Sequence, residues 1–335
     1  MSTCKKSKVA FAAILMLSVC TLFFASGTAF AAKHTLRLGH VLQENSTYHE
    51  CSKKFAELLA EKTGGDIAVT IFPAGQLGNE RELYEGVEMG TLDVAYCAVS
   101  TLPAWLPSFM VFDLPFLYDN YETEYKVLDG KLGQHLTKEL ESIGMICLGY
   151  AETGFANDIY NGTPIKVPAD AKGRTFRTKQ SVADMEYRKA YGVNPVPMAW
   201  GEVFTALQTG VIDGGNFPMN SLYASKFNTV VKYMTVVNAT GIPTALVISK
   251  TTMDRIPEEY HAAIREAGRE AILYKRKIQQ EWDDDCLKKM QDEGLTVIYA
   301  DTKLWRDELK EKVYKVLVPS LVPAELVAMV EEDSK

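Results

Sequence analysis

Arg177 is the residue with the clearest capacity for ligand chemistry. It ends the run Lys172-Gly-Arg-Thr-Phe-Arg177, which reads as a turn followed by a short strand. That places it at the carboxyl end of a strand, where α/β sheets hold their ligands. A guanidinium is a planar fork that meets a carboxylate through two parallel hydrogen bonds, so it orients as well as attracts. Most arginines are instead solvated or paired at the surface, so Arg177 needs company to count as an anchor. Trp200, Phe217, Phe155 and Tyr96 supply it, since all fall near predicted strand ends or the turns after them. Core packing is the ordinary use of an aromatic ring; their shared placement is what points to a cleft.

Catalytic patterns are missing. There is no Gly-x-Ser-x-Gly elbow, no P-loop and no Gly-x-Gly-x-x-Gly. His34, His40, His49, His135 and His261 form no metal-ligand spacing, so neither a metal nor a cofactor is expected. Asp283-Asp284-Asp285 cannot share one face of a helix and reads as a solvated run.

The elements that must position Arg177 are written twice. Glu82-Leu-Tyr-Glu-Gly-Val-Glu-Met-Gly90-Thr-Leu-Asp93 is echoed by Glu202-Val-Phe-Thr-Ala-Leu-Gln-Thr-Gly210-Val-Ile-Asp213. Each reads as a helix that ends on a glycine cap and turns directly into a strand. The first copy sits in a strand–helix series running through Thr35–Val41, a helix opened by Thr47-x-x-Glu50, Ile67–Phe72 and Leu92–Ala98. The second series runs through Lys172–Arg177, a helix near Val182–Tyr191, Val193–Val196 and Val211–Gly214. Alternating strands and helices imply two parallel α/β lobes with a cleft between them. Further strands are expected at Met145–Tyr150 and Thr244–Ser249, and one helix over Lys126–Ile143. A single helical pattern from Pro257 to Glu293 would span roughly 50 Å, enough to brace both lobes. Its apolar side carries Ile264, Ala267, Ala271, Tyr274, Ile278, Trp282 and Leu287. The expected division is 1–31 leader, 32–153 with 243–282 as the first lobe, and 154–242 with 283–335 as the second.

The leader is read from Lys5, Lys6 and Lys8, the apolar stretch Val9–Phe24 and a small-x-small site at Ala29-Phe30-Ala31. It is expected to be cleaved near Ala31 and to send the chain to the periplasm. Three of the 36 basic residues lie in it, which leaves 33 against 43 acidic ones, a net charge of −10. Such a surface disfavours nucleic acid and anionic membranes as partners. Cys51, Cys97, Cys147 and Cys286 follow no disulfide or metal spacing, and their pairing is left open.

Taken in order, the motifs resemble the solute-binding subunits of TRAP (tripartite ATP-independent periplasmic) transporters, of the C4-dicarboxylate-receptor type. They are Gly39-His40-Val41, Phe55–Gly65, Phe72-Pro-x-Gly-Gln-Leu-Gly78 with Glu80, Leu114-Pro-Phe-Leu117, Lys172–Arg177, Pro197-Met198, Ala206–Gly210 and Asp213-Gly-Gly-Asn216. The resemblance spans essentially all of the chain after the leader. It implies a two-lobed periplasmic-binding-protein-like α/β fold and an organic-acid ligand held by Arg177. Membrane-embedded permease subunits are the implied partner, and a monomer is expected. The implied site also draws on Glu80, Tyr96, Ala98, Gln180, Trp200 and Phe217, with Phe155, Asn157, Met198, Asn216 and His40 as further candidates. Three departures bear on the ligand: Ala156, Phe217 and Ala239 stand where related chains commonly carry Arg, Asn and His. Losing those polar groups favours an aromatic or apolar monocarboxylate, such as an indole or phenyl keto or amino acid. The alternatives are a small polar or C4-dicarboxylate-type acid, a sensor-linked binding protein, or a periplasmic enzyme on the same fold.

Overall fold

The computed structural model describes residues 32–335, so the leader expected over 1–31 lies outside the described residues. Strands β1 (His34–Gly39), β2 (Ile67–Phe72) and β3 (Val94–Ala98) form one parallel group, joined by helices α1 (Thr47–Lys62) and α2 (Glu80–Glu88). Helix α1 is capped one residue earlier than expected: Ser46, not Thr47, accepts the hydrogen bond from the His49 N–H. Cys51, Phe55 and Leu59 then recur on its buried face.

After helices α3 (Tyr121–Asp129) and α4 (Lys131–Ser142), the long strand β4 (Met145–Tyr160) leads to the second group. Gly130 breaks what the sequence suggested was one helix. Strand β5 (Thr175–Thr178) pairs in parallel with both β6 (Asn194–Pro197) and β7 (Gly214–Pro218), with α5 (Val182–Tyr191) and α6 (Val203–Thr209) as connections.

The sequence echo has a shared structural meaning. The Glu82 carboxylate accepts the Asn79 N–H at 2.7 Å, and Glu202 accepts that of Ala199 at 2.8 Å, so each glutamate closes the start of its helix. Both helices end on left-handed glycines, Gly90 (φ 73°) and Gly210 (φ 74°). Asp93 then accepts the Arg37 N–H of β1, and Asp213 the Thr175 N–H of β5, each at 2.8 Å. The repeated acids build the frame of each lobe.

Helix α7 (Met219–Ala224) leads to the long strand β8 (Tyr233–Ser249). One sheet results, in the order β2-β1-β3-β8-β4-β7-β5-β6. Strands β4 and β8 run antiparallel to each other through both lobes; β3 pairs with one end of β8 and β7 with one end of β4. Their register breaks between Glu152 and Phe155. There Gly154 (φ +117°) leaves no room for a β-carbon, which would sit 2.8 Å from an Asp283 oxygen. Only half of each long strand was expected. The other halves carry Glu152, Asn157, Asp158 and Asn238, residue types that ordinarily mark loops. In the fold the first three are buried: Asn157 Oδ1 accepts the N–H groups of Val237 and Asn238, and Asp158 accepts from Tyr191 and Asn216.

Helix α8 (Lys250–Arg255) braces Asp93 through Thr252 and Arg255. Helix α9 (His261–Asp292) follows, 32 residues or roughly 48 Å long, and it passes both lobes. Ile264, Ala267, Ala271 and Ile272 bury its first half, and Cys286 and Met290 its last turns. Between them the buried residues are Lys275, Gln279 and Asp283, one every four positions, rather than the expected Tyr274, Ile278 and Trp282. Lys275 donates to Glu152 at 2.8 Å and to Gln279 at 2.6 Å; Asp283 accepts from Gln279, Tyr121 and Asn220. Asp283 is therefore buried and bonded, and only Asp284 and Asp285 of the acidic run are exposed.

Strand β9 (Thr296–Tyr299) extends the sheet beside β8. Helix α10 (Thr302–Leu317) packs on α5, with Trp305 against Tyr191. Helix α11 (Ala324–Asp333) packs on α3 and α4 of the first lobe, where Lys131 pairs with Glu332. The four cysteines among the described residues are free thiols.

Glu124 of α3 lies wholly buried beside this junction, and neither carboxyl oxygen has a hydrogen-bond partner. Burial pushes its carboxyl well above the usual range, and the neighbouring Glu152 adds to that while Lys275 opposes it. The fold thus holds a proton that an unfolded glutamate releases near pH 4.3. Stability from this group is complete below that pH and is lost as pH rises through the folded value. Glu124→Gln, which cannot ionise, is expected to gain on the parent between pH 5 and pH 8 by about 1.4 kcal/mol or more, the value of one pH unit of displaced titration. Urea denaturation at the two pH values measures it; parallel curves would mean that Glu124 is ionised in the fold.

Candidate ligand-binding site

A cavity of about 40 Å³ lies where the lobes meet. Val41, Leu42, Tyr48, Glu80, Ala98 and Ser100 line it from the first lobe, and Arg177, Lys179, Trp200, Asn216, Phe217, Pro218 and Ser221 from the second. Thr153 and Ile242 enter from the two crossing strands. Strand β5 delivers Arg177 as expected, and only 9% of the residue is exposed.

The Met198 carbonyl accepts from Arg177 Nε at 3.3 Å and Nη2 at 3.2 Å, which fixes the plane of the fork. The guanidinium carbon lies 5.8 Å from the Trp200 ring and 5.6 Å from that of Phe217, so two aromatic faces flank it. Burial pulls its pKa down, and the charges of Asp184 and Glu80 oppose that shift. No carboxylate among the described residues lies within 4 Å of it. A guanidinium stays charged at physiological pH, so the cavity wall carries a cation without a contacting counter-ion.

Two further charges share that wall. Glu80 accepts the Ala98 N–H at 3.0 Å; burial raises its carboxyl, while that hydrogen bond and the Arg177 and Lys179 charges hold it down. Lys179 is paired with the buried Asp113, which also accepts from Ser181. Arg177 is thus the cation left for a ligand.

The other expected residues divide by place. Ala98, Trp200, Asn216 and Phe217 line the cavity with Arg177 and Glu80. Trp200 donates to Ser225 at 3.2 Å and meets Phe217 edge-on at 5.7 Å. Asn216 accepts from Arg188 and Thr240 and donates one of its two N–H groups to Asp158. Gln180 and Met198 lie behind Arg177, along a smaller void that shares Glu80, Lys179 and Trp200 with the first. Tyr96 sits below the floor, 4.8 Å from the Tyr48 ring, bonded to Thr244. Asn157 is spent on the backbone of β8. Phe155 packs against Tyr118 and Tyr121 along a separate crevice. His40 is fully buried against His49, and burial holds its pKa down at about 3. Tyr48, Thr153 and Ser221 were not foreseen, because hydroxyl residues have no motif. Lys179 was hidden because a lysine beside a strand end reads as solvated.

A buried guanidinium facing a closed cleft between two α/β lobes fits a receptor for anions, and comparison with known proteins agrees. The model for bacterial extracellular solute-binding protein, family 7, matches residues 38–318. The chain belongs to this family. The 2,3-diketo-L-gulonate-binding periplasmic protein YiaO of Escherichia coli is 32% identical over 317 residues, covering 93% of this chain and 97% of that protein. Among solved structures, the sugar acid binding protein of Advenella mimigardefordensis in complex with galactonate superposes with a TM-score of 0.87 at 29% identity, covering 91% of this chain and 98% of that one. A TRAP periplasmic solute binding protein of Sulfurospirillum deleyianum with bound succinate gives 0.85 at 28%, covering 90% and 99%. As a family 7 solute-binding protein the chain is a receptor for small organic acids that works with a membrane TRAP permease, and not an enzyme. Proteins of this family are periplasmic, and among the described residues no helix is long and apolar enough to cross a membrane.

Proposed function

We propose that this receptor captures a small monocarboxylate, with Arg177 as the carboxylate anchor, and hands it as a monomer to its permease. The observation that carries the reading is the buried Arg177 fork with no carboxylate of its own within reach. The charge count of the wall supports a single carboxylate: Lys179 is already neutralised by Asp113, and a second ligand carboxylate would meet Glu80. Ala156 strengthens this, because its position adds no cation; it packs with Ala98 and Ile242 as an apolar cluster beside the cavity.

With Val41, Leu42 and the Trp200–Phe217 pair, these residues favour a compact apolar body on the acid. A branched aliphatic acid suits that small space better than an indole. Phe217, which suggested an aromatic ligand, is fully buried and already packed on Trp200 and Phe227. Closure follows if the ligand touches both lobes and so binds the closed form more tightly.

A thermal-shift screen of organic acids tests the reading. A true ligand at 100 times its dissociation constant adds about 2.7 kcal/mol to stability. Protection by branched monocarboxylates is expected, and protection by dicarboxylates alone would refute it.

A further inference from the structure

The Ser221 hydroxyl lines the cavity, is 1% exposed, and has no hydrogen-bond partner. That is unusual for a helical serine in this chain. Ser52, Thr63, Thr209 and Ser334 each donate to the carbonyl four residues earlier. For Ser221 that residue is Phe217, which belongs to strand β7 and precedes the helix, and the hydroxyl makes no such bond. The same cavity is lined by Tyr48 and Thr153, whose hydroxyls bond each other at 2.8 Å. One of those two protons serves that bond and the other is left over. The cavity therefore offers two O–H donors with nothing of the protein to receive them. A buried polar group without a partner is costly, and a ligand acceptor removes the cost.

We propose that Ser221 and the Tyr48–Thr153 pair form a second polar subsite that reads an oxygen on the ligand's carbon skeleton, so that the preferred acid is a hydroxy- or oxo-monocarboxylate. The inference rests on the proposed anchoring by Arg177. Tyr48 belongs to the first lobe, Thr153 to a crossing strand and Ser221 to the second lobe. An oxygen held by all three ties recognition of that group to closure.

Calorimetry with matched acids tests it: β-hydroxyisovalerate against isovalerate, levulinate against valerate, γ-hydroxybutyrate against butyrate. The parent protein is expected to favour the oxygenated member of at least one pair by about tenfold. Ser221→Ala should lose about tenfold on that member and less than about twofold on its parent acid. Tyr48→Phe should shift the same pair in the same direction. Equal losses on both members, or a parent protein that discriminates within no pair, overturn the subsite. Arg177→Ala separates the two readings. If it abolishes binding of both acids while Ser221→Ala changes neither, only the subsite fails; if it leaves binding intact, the anchor fails as well.

Discussion

Arg177→Ala is expected to weaken acid binding by about 2–5 kcal/mol, on the order of thirty- to several thousand-fold, which is the usual cost of removing one partner from a buried, hydrogen-bonded charge pair. The melting temperature of the unliganded protein should hardly fall and can rise. The side chain is a buried cation with no carboxylate in contact, so its removal relieves desolvation and sacrifices the bonds to the Met198 carbonyl and the contacts with the Trp200 and Phe217 rings. Loss of function without loss of stability is the signature of a residue kept for its ligand. Arg177→Lys sharpens the test. It retains the charge but not the planar fork that Met198 aligns, so an intermediate loss of about tenfold is expected. Calorimetry on the three proteins decides the matter. An affinity within about threefold of the parent in Arg177→Ala would move the anchor to Lys179, the other cation of the wall.

The route to Arg177 was open in the sequence because a strand end, a glycine turn and a basic residue leave a local pattern. The duplicated helix-to-strand turn was legible for the same reason, although its glutamates and aspartates turned out to bond backbone N–H groups and not a ligand. What stayed hidden lies where the lobes join. Strands β4 and β8 keep running through Glu152, Asn157 and Asp158 because each finds a buried partner from a distant segment. No local propensity reveals such a partner. The same holds along α9, where Lys275, Gln279 and Asp283 interrupt the apolar stripe that periodicity seeks. Phe155 and His40 show the converse: residues of promising type and position that packing directs elsewhere.

Lys275 is expected to be the costliest charged side chain to remove. It is fully buried, as is Glu152, and the two lie 2.8 Å apart. Lys275→Met would leave the buried Glu152 carboxyl without its partner and beside the equally buried Glu124. Breaking a buried pair in this way costs about 3–5 kcal/mol, a large part of the roughly 5–15 kcal/mol that holds a typical native fold. Replacing both partners, as Lys275→Met with Glu152→Gln, leaves no charge behind and should recover more than half of the loss. If the pair contributes net stability only as a pair, the double-mutant cycle gives a coupling energy of about 2 kcal/mol or more. Urea midpoints for the two single variants and the double variant measure it. Additive losses would show that Lys275 acts through Gln279 and the Glu152 backbone carbonyl and not through the Glu152 carboxylate. The ligand readout is separate, because Lys275 does not line the cavity. At saturating acid the single variant should still bind, with reduced apparent affinity if loosening the junction shifts the population away from the closed form.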